Sequence, residues 1–214
     1  MRQASRLILA LDVTEEEKAI SVSQAVEGVV DAIKVGYPLV LSCGMDMVSK
    51  ISEYSHVICD FKVADIPNTN RLIVERVFEY GAMGVIVHGF VGKDYIEACV
   101  AVARGRDVFV VAEMSHPGGA KFFQPITDEL VALAVAAKAT GVIAPATRPE
   151  RIKHIRGLVG DLKILTPGVG AQGGKASQAI KAGADYIIVG RSIYEADDPR
   201  DSAERIAQEI KESS

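Results

Sequence analysis

The sequence predicts an α/β protein built as a single (β/α)8 barrel. Short runs rich in Val, Ile and Leu alternate with longer stretches of helical periodicity along the whole chain, the rhythm of βα units. Most of the runs are nearly continuously apolar, as parallel strands covered on both faces are, rather than alternating. Eight such runs can be counted, whereas an open flavodoxin-like sheet needs only about five or six.

Taken in order, the predicted strands are Leu7–Leu11, Ala32–Val35, Val57–Phe61, Gly84–Val87, Val108–Ala112, Gly141–Ala144, Lys163–Leu165 and Tyr186–Val189. Helices are predicted over Glu15–Val26, Met45–Tyr54, Thr69–Tyr80, Lys93–Ala103, Asp128–Thr140, Pro149–Val159, Lys175–Ala182 and Ser202–Lys211. Thr14 stands before Glu15, Glu16 and Glu17, an N-cap residue followed by acids at the positive end of a helix. Pro149 suits a first helical position, where a missing N–H costs nothing. Gly81, Gly141 and Gly183 fall where helices close on a left-handed residue, and Tyr37-Pro38 reads as a turn. No Pro/Ser-rich linker, low-complexity tract or charge block divides the chain, so residues 1–214 are read as one catalytic domain.

Hydrophobic residues make up 49% and charged residues 24%, which excludes disordered and collagen-like classes. The net charge of −4 supplies no global positive field for a nucleic-acid backbone, so any anion must be held locally. Cys43, Cys59 and Cys99 are an odd number at long spacings, and read as reduced, buried thiols rather than as a disulfide or zinc framework. The apolar run Leu7–Leu11 is too short for a signal core or a membrane span, which gives the expectation of a cytoplasmic protein with no membrane partner.

In this architecture chemistry sits at the carboxyl ends of the strands. Those ends are polar: Asp12, Lys34, Asp60-Phe61-Lys62, His88, Glu113-Met114-Ser115-His116, Pro167 to Gly174, and Gly190-Arg191-Ser192. Period-2 geometry puts Asp60 and Lys62 on one face of the third strand and Phe61 on the other. Ala64 and Asp65 then lead to Ile66-Pro67, where Pro67 suits the first turn of a helix. One strand-end pair alone is an ordinary surface ion pair, but Asp12, Lys34, Asp60, Lys62 and Asp65 together would hold each other charged. Opposite charges 4 Å apart are worth about 4 kcal/mol at an effective dielectric of 20. The glycine-rich run after the seventh strand and Gly190-Arg191 after the eighth occupy the positions where barrels build phosphate sites from backbone N–H groups, and Arg191 adds a planar donor fork. The pattern Gly168 to Gly173 lies too late in the chain, with no following strand bearing a ribose acid, for a dinucleotide fold.

The segment Asp60-Phe61-Lys62-Val63-Ala64-Asp65-Ile66-Pro67, an Asp-x-Lys-x-x-Asp signature, resembles the orotidine 5′-monophosphate decarboxylase family in its short archaeal form. Leu9-Ala10-Leu11-Asp12, Lys34 to Pro38, Val87-His88-Gly89, Glu113 to Gly118, Pro167 to Gly174 and Val189 to Tyr194 agree, so the likeness runs from Leu7 to about Asp198. It implies metal-independent, cofactor-free decarboxylation of orotidine 5′-monophosphate to uridine 5′-monophosphate in pyrimidine biosynthesis. The signature is shared with magnesium-dependent 3-keto sugar-phosphate decarboxylases and synthases, the alternative reading. Those relatives, as the resemblance implies, carry an acid where this chain has Lys34, whose ammonium repels a metal.

The resemblance also assigns roles. Lys62 would stabilise and then protonate the C6 carbanion, with Asp60 near the substrate carboxylate keeping Lys62 oriented. Lys34 and Asp12 would meet the ribose hydroxyls, Ser115 the pyrimidine edge, and Gln172 would span phosphate and base from a closing lid. Pro167, Gly190 and Arg191 would line the phosphate end. Asp65 and Thr69 would reach the neighbouring subunit's site, making a homodimer with shared active sites. Outside that scheme, His88 is read as a packing or hydrogen-bonding residue, His56 and His116 as loop residues, and Glu113 as a candidate buried, paired acid of the network with no assigned role. Phe122-Phe123 is an apolar loop packing over the site or at a subunit contact.

Overall fold

The computed structural model describes residues 4–213. Eight parallel strands close into a barrel in sequence order, and β1 (Leu7–Leu11) pairs with both β2 (Ala32–Gly36) and β8 (Tyr186–Val189). The others are β3 (Val57–Val63), β4 (Gly84–His88), β5 (Asp107–Val111), β6 (Gly141–Ile143) and β7 (Lys163–Pro167). Around them, in chain order, lie α1 (Glu16–Ala25), α2 (Tyr37–Cys43), α3 (Asp46–Ser52), α4 (Pro67–Glu79), α5 (Lys93–Ala103) and α6 (Pro117–Phe123). After a 3-10 turn over Gln124–Ile126 come α7 (Thr127–Ala136), α8 (Pro149–Val159), α9 (Ala176–Lys181), α10 (Arg191–Tyr194) and α11 (Pro199–Glu212).

Two apolar layers result from the period of 2. Leu7, Leu9 and Leu11 point outward against the helices, while Ile8 and Ala10 point into the barrel with Ala32, Ile58, Ile86, Phe109, Val111, Ile143, Leu165, Tyr186 and Ile188. Both faces of each strand are thus dry, which is why the strands read as unbroken apolar runs. The inward column continues past this hydrocarbon plug into charge: Ala10 is followed by Asp12, Ala32 by Lys34, Ile58 by Asp60, and Val111 by Glu113.

Several local expectations are corrected. Tyr37-Pro38 opens α2 instead of forming a turn, because a proline in the first helical turn gives up no hydrogen bond. Gly141 does not close a helix but begins β6, where a Cβ would lie 2.3 Å from the Lys163 carbonyl oxygen. Gly81 (φ +93°) and Gly183 (φ +106°) do take left-handed values. Thr14 caps nothing: α1 starts one residue after an extended Glu15 that makes no side-chain cap bond. The helices predicted to begin at Thr69 and Ser202 begin earlier, at Pro67 and Pro199, the latter behind Asp198, whose carboxylate accepts from the Asp201 N–H at 3.0 Å. Cys59 and Cys99 are buried free thiols, and Cys43 is half-buried. Among the described residues no helix is long and apolar enough to cross a membrane.

Candidate active site

At the mouth of the barrel Asp60 joins two cations. Its Oδ1 is 2.7 Å from Lys62 Nζ and its Oδ2 is 2.9 Å from Lys34 Nζ, which also lies 3.6 Å from Asp12 Oδ1. Burial favours the neutral acid at Asp60, yet Lys34 and then Lys62 outweigh it and hold its pKa below the usual carboxylate value. Burial likewise opposes the Lys34 ammonium, but Asp60 and Asp12 keep its pKa above that of an ordinary lysine. Two positive and two negative side chains therefore form a neutral chain along the ends of β1, β2 and β3.

Lys62 stands in an uncommon backbone state. Its φ is +42°, in the left-handed region that side chains with a Cβ rarely adopt. The strand register shows why: Cys59 faces Val85 and Val63 faces Val87, so β3 covers in four residue steps what β4 covers in two. The excess arches out of the sheet between Asp60 and Lys62 and aims the ammonium back at the carboxylate. Strain of this kind persists where the surroundings over-determine it, typically at functional sites.

A cavity of about 270 Å³ opens above the plug. Asp12, Lys34, Asp60 and Lys62 line it from the ends of β1 to β3, Ile86, Val111, Ile143 and Ile188 from the plug, and Ser115, Pro167, Gln172, Gly190 and Arg191 from the ends of β5, β7 and β8. Nine of the eleven predicted site residues thus meet at one cavity. Asp65 and Thr69 do not line it. Asp65 is also absent from the charge chain in which the sequence placed it: the strand has ended at Val63, and its exposed carboxylate accepts from the Ile66 N–H at 2.7 Å. Its peptide is gripped by the buried Asn70, whose Oδ1 accepts from the Asp65 N–H at 3.1 Å and whose amide donates to the Asp65 carbonyl.

The segment from Gly168 to Gly174 folds over the cavity on its own backbone. Gly170 N–H donates to the Gly174 carbonyl at 3.0 Å, Gly173 N–H to Gly170 at 2.7 Å, and Gly174 N–H to Gly168 at 3.0 Å. Glycine is required at Gly168 (φ +102°), where a Cβ would press on Ser115 and Thr147 at 3.1 Å. It is required again at Gly170 (φ +73°), where one would come 2.6 Å from Ser192 Oγ. Gln172, at the loop's exposed tip, faces the cavity.

Glu113 is the buried, paired acid the sequence suggested, but its partners are not the lysines. Its Oε1 accepts from Arg151 Nε at 2.6 Å and Thr127 Oγ1 at 2.9 Å, and its Oε2 lies 3.8 Å from Arg148 Nη2. Arg148 also donates to the Met114 carbonyl at 2.5 Å, and Thr147 Oγ1 to that of Ser115 at 3.1 Å, so the start of α8 holds the segment bearing Ser115. His88 packs as expected, its ring 4.7 Å from Phe90 and 5.8 Å from Phe123. Burial, then the Lys62 cation, lower its pKa to about 4, so the ring is neutral. Phe122 is exposed and Phe123 packs against the barrel interior. Sequence reading passed over Asn70, Arg148, Arg151 and the cavity residue Tyr194; only Asn70 left a signal, as an amide in the apolar face formed with Val74 and Val77.

A closed (β/α)8 barrel with a lysine–aspartate chain at the ends of β1 to β3 and a glycine-rich loop after β7, both lining one cavity, is the frame of a barrel enzyme. A match to the orotidine 5′-phosphate decarboxylase / HUMPS family spans residues 5–206. The chain belongs to this family and is an enzyme of its orotidine 5′-phosphate decarboxylase branch. It is 58% identical over 214 residues to the orotidine 5′-phosphate decarboxylase of Methanosarcina mazei, covering 99% of this chain and 97% of that one. To that of Thermococcus kodakarensis it is 52% identical, over 98% of this chain and 99% of the other. The orotidine 5′-monophosphate decarboxylase of Methanocaldococcus jannaschii, solved in complex with the inhibitor BMP, superposes with a TM-score of 0.91 at 45% identity, covering 95% and 97% of the two chains. The Pyrococcus horikoshii OT3 enzyme superposes at 0.89 with 50% identity, covering 96% and 99%.

Proposed function

We infer that this chain decarboxylates orotidine 5′-monophosphate to uridine 5′-monophosphate, a step of pyrimidine synthesis, with Lys62 as the residue that stabilises and protonates the reacting carbon. The observation that carries the assignment is the Lys62 ammonium, fixed 2.7 Å from Asp60 in the same cavity that the glycine loop and Arg191 line. With the phosphate held by Gly190, Arg191 and Gln172 beside Pro167, and the pyrimidine edge read by Ser115, the base extends toward Lys62. Asp12 and Lys34 meet the ribose hydroxyls, and Asp60 lies beside the carboxylate that departs. The bond from C6 to the carboxylate carbon breaks, carbon dioxide leaves, and the electron pair stays on C6. The adjacent cation stabilises that pair as it develops, Lys62 passes a proton to C6, and the resulting amine regains one from water.

The magnesium-dependent reading is disfavoured by Lys34. Its ammonium sits 2.9 Å from Asp60 Oδ2, on the oxygen a divalent ion would need. We also propose that Asp65 and Thr69, outside this chain's own cavity, complete the site of a second copy in a homodimer. Purified protein in EDTA, given orotidine 5′-monophosphate, is expected to consume its absorbance at the full rate. Dependence of the rate on added divalent metal, or turnover confined to a 3-keto sugar phosphate, would overturn the assignment.

A further inference from the structure

We propose that Tyr95 is a positioning residue for Lys62, its hydroxyl anchoring to α5 the residue that follows Lys62 at the far end of the β3 arch. The proposal rests on the role given to Lys62 above. Four residue steps of β3 against two of β4 interrupt the regular ladder between Cys59 and Val63. Tyr95 adds a contact at the far end of that interruption, from α5. Its side chain is fully buried and its hydroxyl donates to the Val63 carbonyl. Val63 follows Lys62 directly.

This hydroxyl therefore ties the residue after the arch to α5, beside its register with Val87 of β4. The ammonium of Lys62 is the moving end of a flexible stem on a left-handed backbone, and Asp60 restrains only its tip. If Val63 is released, the arch can relax, φ of Lys62 can return toward the common region, and Nζ shifts from its place beside the reacting carbon. Burial, which raises the pKa of the phenol, keeps the donor proton in place. The alternative is that Tyr95 only satisfies a buried carbonyl and fills a core position, which predicts lower thermal stability with kcat per folded molecule unchanged.

Tyr95→Phe keeps the ring and removes the anchor. Misplacement of a reacting group by about 1 Å costs on the order of 100-fold in rate. Tyr95→Phe is accordingly expected to lower kcat about 10- to 100-fold while KM for orotidine 5′-monophosphate stays within about threefold, since the phosphate cradle and Ser115 stand on other strands. Ser23→Ala removes another buried hydroxyl, which donates to the Ala19 carbonyl at 2.7 Å on α1, and should leave kcat unchanged. A kcat for Tyr95→Phe within about twofold of the parent, or a loss matched by a proportional rise in KM, overturns the proposal. Lys62→Ala is assayed alongside: if it retains activity, the role of Lys62 fails, whereas an inactive Lys62→Ala beside a fully active Tyr95→Phe refutes Tyr95 alone. Should Tyr95→Phe not fold, 3,5-difluorotyrosine placed at position 95 keeps the bulk and makes the hydroxyl a stronger donor. A change in kcat beyond about twofold at constant KM then supports the anchor, and an unchanged kcat overturns it.

Discussion

Asp60 gives one carboxylate oxygen to each of two lysines, and this division sets what each lysine can be exchanged for. Lys34 serves the chain of charges, whereas Lys62 also carries the role proposed at the reacting carbon. Lys62→Ala should abolish turnover nearly completely while a product-like nucleotide still binds, because the proposed phosphate contacts come from other strand ends. Retention of more than about a tenth of kcat in the folded variant, a deficit below ~1.4 kcal/mol, would contradict the role. Arg191→Ala should behave differently: the phosphate does not react, so its contacts supply remote binding energy and KM should rise steeply. Gln172→Ala should lower kcat/KM as well, and the two changes should be non-additive in a double-mutant cycle if both residues grip one phosphate. Strict additivity would separate them.

Among the elements, β6 is the shortest strand and depends on a residue with no side chain. Gly141→Ala would drive a methyl group to 2.3 Å from the Lys163 carbonyl and force β6 and β7 apart. A loss of about 1–3 kcal/mol in denaturant unfolding is expected; an unchanged midpoint would mean that the strands can shift freely. The same residue shows where sequence reasoning stops. A glycine between a helical run and an apolar run suits a helix end as well as a tight strand contact, and only the neighbouring backbone decides. The eight strands were legible because both of their faces are dry, and Asp60 and Lys62 because a period of 2 aligns them. The helices α2, α6 and α10, each of seven residues or fewer, are too short to show a period. The arch that sets Lys62 was invisible for another reason: it is a mismatch between two strands, and its partner Tyr95 lies 32 residues from Val63. Arg148 and Arg151 reach Glu113 across a similar distance in the chain, and charge alone did not single them out.

For the molecule as a whole, acidity acts in two windows. The folded state keeps His88 neutral with a pKa of about 4, while the unfolded chain returns it to 6.5. The unfolded state takes up that proton first, so stability falls as pH drops from about 6.5 toward 4 and no further on this account. Asp60, held below 3.8, contributes stability above that value that is lost only as pH falls through its lower folded pKa. Urea midpoints measured between about pH 7 and 4.5 should therefore decline, and His88→Phe should flatten the decline; an unchanged slope would assign the loss to another group. Assembly is tested by mixing. Asp65→Ala and Arg191→Ala homodimers should each be impaired, yet subunit exchange should restore about a quarter of parental activity. Half the dimers are then mixed, and each of these has one site free of both lesions. No recovery, with mixed dimers confirmed by native mass spectrometry, would place Asp65 and Arg191 in the same subunit's site.

The pairing of Leu7, Ile8 and Leu9 with Ile187, Ile188 and Val189 ties the first strand of the barrel to its last. During synthesis β1 is made before the other seven strands and must wait for β8. Until then the nascent sheet has two open edges, at β1 and at β7, each able to pair with another chain. Arg191 and α11 emerge later still, so the half-made protein has neither a closed wall nor the Arg191 end of its cavity. Closure by contacts so far apart in sequence is slow, and a translational pause just before Tyr186 would hold seven strands, rather than fewer, in this open-edged state.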